Sequence, residues 1–216
     1  MYTLYIGNKN YSSWSLRPWV LMRQRGIAFR EQLVSLQDEG LSERILSASP
    51  SARLPCLHDG ARVVWDSLAI AEYLAERHAG LWPADADARA WARSVSAEMH
   101  SGFADLRSQF GMNLRVRATV APTAKTAANI SRIEAIWREG RSRFGAGGAF
   151  LCGEFGIVDA FWCPVAFRFR SYGVAPKGAA GDYLAALLAL PAMRAWAADA
   201  ARETEVLDVP GAAVQA

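Results

Sequence analysis

The chain has 216 residues, of which 52% are hydrophobic and 21% charged, and its formal net charge at pH 7 is +3. This composition is typical of a globular protein with a sizeable core and excludes a largely disordered chain. The small charge, with Lys and Arg scattered along the chain, argues against a nucleic-acid partner. No apolar run reaches the roughly 20 residues that span a bilayer, so no membrane association is expected.

The cysteines give a second compositional signal. Cys56, Cys152 and Cys163 are odd in number and form no CxxC pair. This pattern argues against a disulfide framework and against a zinc site, so no metal site is predicted. No signal-peptide pattern stands at the N-terminus, and the expected location is therefore the reducing cytoplasm.

The first 78 residues carry the pattern of a mixed α/β unit. Residues 2–6 (YTLYI) are aromatic and β-branched and predict a strand. Two later apolar runs flank Asp59-Gly60, the dipeptide that most strongly predicts a β-hairpin. The other predicted elements are a helix at 18–25, a strand at 29–36, a helix at 41–46 and a helix at 67–77. The predicted order is therefore β-α-β-α-β-β-α.

The composition changes after residue 78. Residues 79–85 contain Gly, Pro and Asp and predict a linker. Most of the remaining chain shows helical periodicity, so residues 86–208 predict a second, all-helical domain. The predicted helices cover residues 86–110, 123–144, 158–170, 182–190 and 191–203, and the last eight residues predict a loose tail.

Three serines stand where the first strand gives way to the first helix: Ser12, Ser13 and Ser15. A helix N-terminus presents unsatisfied N–H groups and partial positive charge, and so favours a phosphate, carboxylate or thiolate. Ser15 is the predicted N-cap, because Pro18 then falls in the first helical turn. One cap does not account for three hydroxyls.

These hydroxyls could serve three chemical roles. A serine nucleophile would need a base and an oxyanion site, but the chain has no GxSxG motif and its histidines suggest no triad. A phosphate cradle would need glycines, which this turn lacks. The remaining role is a hydroxyl that donates a hydrogen bond to the thiolate of a bound cosubstrate.

Three motifs together resemble the glutathione S-transferase family: SSWSLR at 12–17, SARLPCL at 51–57 and WDSLAIAEYL at 65–74. SSWSLR is most similar to the zeta-class and related serine-type bacterial enzymes. The resemblance implies a thioredoxin-like domain at residues 1–78, followed by a helical-bundle domain at residues 86–208. It also implies glutathione as the cosubstrate and a homodimeric assembly.

The resemblance makes Ser12 the catalytic serine, with Ser13 as its rival by one position of register, and it assigns Ser13 and Ser15 to the glutathione site. A hydrogen bond to a charged group contributes about 1.5–3 kcal/mol and a helix N-terminus about 0.3–1 kcal/mol. Together these suffice for the roughly 2.7 kcal/mol that lowers a thiol pKa by about two units. Trp14 stands where zeta enzymes carry a cysteine, which leaves zeta-specific chemistry open.

The other two motifs are expected to hold the tripeptide. The resemblance implies a cis bond before Pro55, with the backbone of Leu54 binding the cysteinyl part of glutathione. A helix N-terminus with the Ser67 hydroxyl suits the γ-glutamyl carboxylate, and Asp66 suits its ammonium group. The simpler interpretations are that Pro55 starts a strand and that Asp66 and Ser67 cap a helix. LQDEGL, at 36–41, does not identify the residue that holds the glycine end.

The first long helix of the second domain is expected to form a wall of the electrophile pocket, because the family's pocket lies there. The candidates are His100, Ser101, Phe103 and Arg107, and Arg107 suits an acidic substrate. The alternative is a solvated helix face with one packed histidine. Further along, Gly156 and Asp159 resemble the family's buried capping box, in which Asp159 is structural.

These observations predict a glutathione transferase that acts on a small electrophile, whose identity the sequence does not give. Two alternatives remain. The first is a glutathione-dependent cis–trans isomerase of the maleylacetoacetate isomerase type. The second is a non-catalytic stress protein that binds glutathione or apolar ligands.

Overall fold

The structure is a computed structural model, and it describes residues 1–35 and 41–207. The strands are β1 (Tyr2–Ile6), β2 (Phe29–Leu33), β3 (Cys56–Asp59) and β4 (Arg62–Trp65). The helices around the sheet are α1 (Ser13–Gln24), α2 (Leu41–Ala48) and α3 (Ser67–Ala75). Those that follow are α4 (Ala86–Ser101), α5 (Ala104–Gln109), α6 (Ala124–Arg143), α7 (Ile157–Tyr172), α8 (Ala179–Ala189) and α9 (Pro191–Arg202).

The four strands form one mixed sheet in the order β2-β1-β3-β4. β1 is parallel to β2 and antiparallel to β3, and β3 pairs with β4 as an antiparallel hairpin. Leu4 and Leu57 are opposite each other and fully buried, so this part of the sheet faces the core. The predicted fold class is confirmed: a thioredoxin-like domain is followed by a helical domain.

Helix α1 begins earlier than predicted. It starts at Ser13 with Ser12 as N-cap, so Pro18 lies inside the helix rather than in its first turn. The expectation that Ser15 caps this helix is therefore wrong. Proline also occurs beyond the first turn, at the cost of one backbone hydrogen bond. Strand β2 ends at Leu33, and the predicted end at residue 36 lies outside the described residues.

The predicted helix at 86–110 is two helices. Gly102 is extended, Phe103 adopts a left-handed backbone (φ 58°), and α5 then starts in a new direction. A Cβ at Gly102 would lie 2.7 Å from the carbonyl oxygen of Glu98, closer than a side chain permits. The break therefore depends on glycine at this position, and a Gly inside an otherwise helical pattern is a weak sign of it.

Helix α7 forms the centre of the helical domain. Nearly all its residues are buried, and it packs against α1, α4 and α8. At its start Asp159 is fully buried and accepts hydrogen bonds from the Gly156 N–H (2.9 Å), the Leu151 N–H (3.1 Å) and the Tyr183 hydroxyl (2.9 Å). The predicted reach of Asp159 back to Gly156 is confirmed. Burial raises the pKa of Asp159 to about 6.

No single described helix is long and apolar enough to cross a membrane. Helices α8 and α9 together meet the length and composition test as a pair bent by 63°.

Candidate functional site

The turn between β1 and α1 holds its serines in a chain of hydrogen bonds. Ser12 Oγ donates to Ser15 Oγ at 2.7 Å, and Ser15 Oγ accepts from the Gly7 N–H at 3.1 Å. The Ser15 N–H lies 3.4 Å from Ser12 Oγ, which makes Ser12 the cap of α1. Ser15 is fully buried and does not line the cavity described next, so it supports the turn from within.

A cavity of about 820 Å³ opens at this turn. Ser12 and Ser13 lie at one side of it, and Leu54, Asp66 and Ser67 lie in its other walls. The complete lining among the described residues is 11–14, 45, 51–55 and 65–67. The fold therefore brings together three separate segments of the chain, of which the first and second lie almost forty residues apart and the second and third about ten.

Two further features of the wall concern Pro55 and Asp66, and the first of them matches what the resemblance implies. The bond between Leu54 and Pro55 is cis, and it directly precedes β3. Asp66 is the N-cap of α3, where one of its oxygens accepts from the Leu68 N–H at 2.8 Å. The capping interpretation of Asp66 is thus correct, and the second carboxylate oxygen is still available to contact a ligand or His100.

Behind Ser67 lies Arg17, a buried arginine that ends the SSWSLR motif. Arg17 is 2% exposed, and its Nη1 donates to Ser67 Oγ at 3.2 Å and lies 3.3 Å from His100 Nδ1. The pKa of Arg17 is lowered to about 9, chiefly by burial and secondly by the positive charges of Arg107 and Arg168. The negative charge of Asp66 acts in the opposite direction and raises the pKa. A cationic group therefore stands directly behind the N-terminus of α3.

A second buried arginine reaches the serines from α7. Arg168 donates to Ser13 Oγ at 3.3 Å and to the carbonyl oxygen of Phe110. Burial, then the charge of Arg107, lowers the pKa of Arg168 to about 10. The hydrogen-bond partners of Arg168 lie in other parts of the chain, so no local sequence pattern predicts its role.

The four candidates of the helical domain are placed differently from one another. His100 is half-buried, with its ring 5.2 Å from that of Trp14 and its Nε2 3.5 Å from Asp66 Oδ2. Burial lowers the pKa of His100; Asp66 opposes this, and Arg17 and Arg107 add to it. Arg107 donates to the carbonyl oxygens of Met99 and His100, and its guanidinium lies 4.7 Å from the Trp14 ring centre.

Phe103 and Ser101 are further from the turn. Phe103 is 8% exposed and packs edge-on against Trp162 at 5.9 Å, so it belongs to the core. Ser101 is exposed and donates to the carbonyl oxygen of Ala97 at 3.0 Å. Among the described residues, the cavity lining includes none of the four candidates; His100 and Arg107 adjoin it through Trp14.

The described residues contain no group of three or more His, Cys, Asp or Glu side chains that could hold a metal ion. The stretch LQDEGL, considered for the glycine end of glutathione, lies mostly outside the described residues.

The described residues form a thioredoxin-like domain followed by a helical domain, which is the fold of solved glutathione transferases, with a pocket at the first turn. Residues 11–77 match the family described as glutathione S-transferase, N-terminal domain. Solved structures agree over nearly the whole chain. A glutathione transferase homolog from Burkholderia, with bound glutathione, is 21% identical with a TM-score of 0.67, covering 93% of this chain and 97% of that one.

Other relatives point the same way. A tau-class glutathione S-transferase from mango is 16% identical with a TM-score of 0.69, covering 90% and 91% of the two chains. A stringent starvation protein A homolog from Haemophilus ducreyi is 26% identical and covers 78% of this chain and 76% of its own length. A probable maleylacetoacetate isomerase from Caenorhabditis elegans is 30% identical over 49% of each chain. The chain is thus similar in sequence to these proteins over part or most of its length, and it shares its fold with the solved structures.

Proposed function

We propose that this protein is a glutathione transferase whose Ser12 hydroxyl stabilises the thiolate of bound glutathione. The observation that supports this best is the shared cavity of about 820 Å³, in which Ser12, Leu54 and Ser67 come together from three separate motifs. Each of the three offers a hydrogen-bonding group suited to a different part of the tripeptide.

The γ-glutamyl end of glutathione carries a carboxylate and an ammonium group, and the start of α3 suits both. The carboxylate accepts from the Ser67 hydroxyl and the first N–H groups of α3, with the charge of Arg17 directly behind Ser67. The Asp66 carboxylate pairs with the ammonium group. Leu54 then offers its backbone N–H and C=O to the cysteinyl part, which directs the sulfur toward α1.

At the sulfur, Ser12 supplies the hydrogen bond and α1 supplies partial positive charge. Ser12 donates to Ser15 in the structure, and rotation about one side-chain torsion redirects that hydrogen to a sulfur atom in the cavity. A hydrogen bond to a charged acceptor contributes about 1.5–3 kcal/mol, which lowers a thiol pKa by about one to two units. The thiol releases its proton to water, and the thiolate forms the carbon–sulfur bond as the leaving group departs from the electrophile.

The test compares Ser12→Ala with Ser13→Ala in the full chain. Ser12→Ala is expected to raise the pKa of bound glutathione by about one unit or more and to lower kcat/KM for a chromogenic aryl halide about tenfold near neutral pH. Ser13→Ala is expected to leave both nearly unchanged. The reverse result would make Ser13 the thiol partner, and no effect from either variant would refute the serine mechanism.

A second candidate function is glutathione-dependent cis–trans isomerisation of an acidic substrate. The observation that favours it is the positive charge around Trp14, where the guanidiniums of Arg17 and Arg107 lie 4.3 and 4.7 Å from the ring centre. A probable maleylacetoacetate isomerase is also among the relatives. Turnover of maleylacetoacetate without turnover of aryl halides would establish this function in place of conjugation.

A third candidate is a non-catalytic stress protein that binds glutathione, which the similarity to stringent starvation protein A homologs favours. It predicts calorimetric binding of glutathione together with no conjugation across a broad panel of electrophiles. Conjugation of any electrophile in that panel, with loss in Ser12→Ala, would exclude it.

We also propose that the protein acts as a homodimer in the cytoplasm, as the resemblance implies. Sedimentation equilibrium is expected to give twice the mass of the 23.6 kDa chain. A single species at the mass of one chain over a wide concentration range would refute the dimer.

A further inference from the structure

The loop between β1 and Ser12 is polar and yet buried. Asn8, Lys9 and Asn10 are each 5% exposed or less. The carbonyl oxygen of Asn8 accepts from the N–H groups of Tyr11 (3.2 Å) and Ser12 (2.8 Å). The position of Ser12 therefore depends directly on where this loop is held.

The ammonium group of Lys9 forms two ion pairs, one of them with a residue of α9. Lys9 Nζ lies 2.8 Å from Glu31 on β2 and 2.6 Å from Asp199 on α9. The ammonium group also lies 4.9 Å from the ring centre of Trp19 and 5.4 Å from that of Trp196. A buried charge is tolerated only when it is paired in this way, so Asp199 helps fix Lys9.

The backbone of the loop is held from the same side. The carbonyl oxygen of Lys9 accepts from Trp196 Nε1 at 2.8 Å. The N–H groups of Lys9 and Asn10 donate to the two oxygens of one carboxylate, that of Glu203, just beyond α9. Trp196, Asp199 and Glu203 together are called the C-terminal clamp below.

Arg115 fixes the segment that carries this carboxylate. It donates to the carbonyl oxygens of Glu203 (2.8 Å) and Glu205 (2.5 Å), and to the Tyr11 hydroxyl at 2.8 Å. Tyr11 itself lines the cavity beside Ser12. The clamp is thus tied to the cavity by a second, independent route.

We propose that Glu203 and Asp199 are positioning residues for the Ser12 turn, so that the acidity of bound glutathione depends on the C-terminal clamp. The inference rests on the proposed function, because Ser12 must act on the thiolate for the acidity to respond. Glu203 acts through the two N–H groups that it fixes, and Asp199 acts through the Lys9 ammonium. A hydrogen bond to sulfur depends on distance and angle, so a small shift of this loop weakens it.

The chain offers a matched pair of variants. Glu203→Gln keeps the size of the side chain but replaces one accepting oxygen with an NH₂ group, which cannot accept from a backbone N–H. Glu205→Gln makes the same change two residues later, where the carboxylate accepts from Ser35 Oγ at 3.3 Å and does not contact the loop. Asp199→Asn tests the Lys9 contact separately.

The first measurement is amide hydrogen exchange of a peptide covering residues 7–12, followed by mass spectrometry. Glu203→Gln is expected to speed exchange of this peptide about tenfold, whereas Glu205→Gln is expected to leave it unchanged. Equal exchange in the two variants would overturn the inference, whatever the protein does with glutathione.

The second measurement is the thiol pKa of bound glutathione, read from thiolate absorbance. Glu203→Gln is expected to raise it by about one unit and to lower kcat/KM about tenfold, with Asp199→Asn smaller in both. Binding of S-methylglutathione, which has no ionisable thiol, is expected to change by less than about twofold. Faster exchange with an unchanged thiol pKa would reduce the clamp to a structural role and overturn the positioning claim.

The failure of the proposed function would look different. If the wild-type protein does not lower the thiol pKa of glutathione, the thiolate mechanism fails. The exchange comparison still decides whether Glu203 holds the loop.

Discussion

Helices α1 and α7 both begin at a buried turn, yet the two turns serve different ends. At α7 the Asp159 carboxylate accepts hydrogen bonds from Gly156, Leu151 and Tyr183, so its oxygens are engaged by groups inside the core. At α1 the capping residue Ser12 also lines a cavity. A helix cap can contact a ligand only where the fold leaves space in front of it, and of these two turns the one at Ser12 lines such a space.

Removing the Asp159 carboxylate at the start of α7 is expected to have the largest effect on stability. Asp159→Ala leaves three buried donors without their acceptor, so we expect the free energy of unfolding to fall by about 4 kcal/mol. That loss corresponds to a drop in Tm of roughly 8–16 °C for a chain of this size. Thermal unfolding measures it, with exposed Asp182→Ala in the first turn of α8 as control. If the loss of kcat/KM in the folded variant, converted to free energy, exceeds the loss of unfolding free energy, the structural role of Asp159 is contradicted.

The same cap predicts a pH dependence. Burial raises the pKa of Asp159 from 3.8 to about 6, so the native state binds a proton more tightly than the unfolded chain. The stabilisation is complete below pH of about 4 and is lost as the pH rises through about 6, an effect of roughly 2–3 kcal/mol. Denaturant titrations across this window measure it. Asp159→Asn should lack this component, and an unchanged pH slope in that variant would refute the assignment.

Near the turn at Ser12, the positive charge of Arg17 behind Ser67 can be removed without substituting any serine. Arg17→Met is expected to weaken glutathione binding about tenfold, because the γ-glutamyl carboxylate loses a nearby cation. It should also raise the pKa of His100, which the charge of Arg17 holds down. Calorimetry and an NMR titration of His100 measure the two effects, with exposed Arg23→Met on the same helix as control. Unchanged glutathione binding would separate Arg17 from the ligand.

The smallest expected effect concerns Ser15, which supports the turn at Ser12 from within. Ser15→Ala leaves the buried Gly7 N–H without its acceptor, so we expect unfolding to become easier by about 1 kcal/mol. Ser94→Ala, an exposed serine inside α4, is the control and is expected to change stability by less than about 0.5 kcal/mol. Equal stability of the two variants would show that Ser15 does not support the turn.

Local patterns predicted the parts of the fold that local physics decides. The alternation in the strands, the Asp59-Gly60 hairpin and the hydrogen bond from the Gly156 N–H to Asp159 need only neighbouring residues. Pro18 predicts a later start for α1, because proline suits a first helical turn, whereas the Ser12 cap and the hydrogen bond from Gly7 to Ser15 hold a turn from which the helix starts at Ser13. The sequence does not predict the break at Gly102, because a lone glycine is also compatible with a continuous helix.

The site was predictable only where a motif carried it. The three motifs identified most of the cavity wall, but Arg17 and Arg168 gained their roles from partners 50 to 155 residues away. The stretch at residues 8–10 is polar and yet buried. Its burial comes from α9, whose approach no local pattern indicates.

The C-terminal clamp has a consequence for the order in which the chain assembles during synthesis. Lys9 is synthesised 190 residues before Asp199 and 194 residues before Glu203. A nascent chain can complete the sheet long before these two carboxylates are available. The turn that carries Ser12 therefore reaches its final bonding only after residues 199–203 have been synthesised.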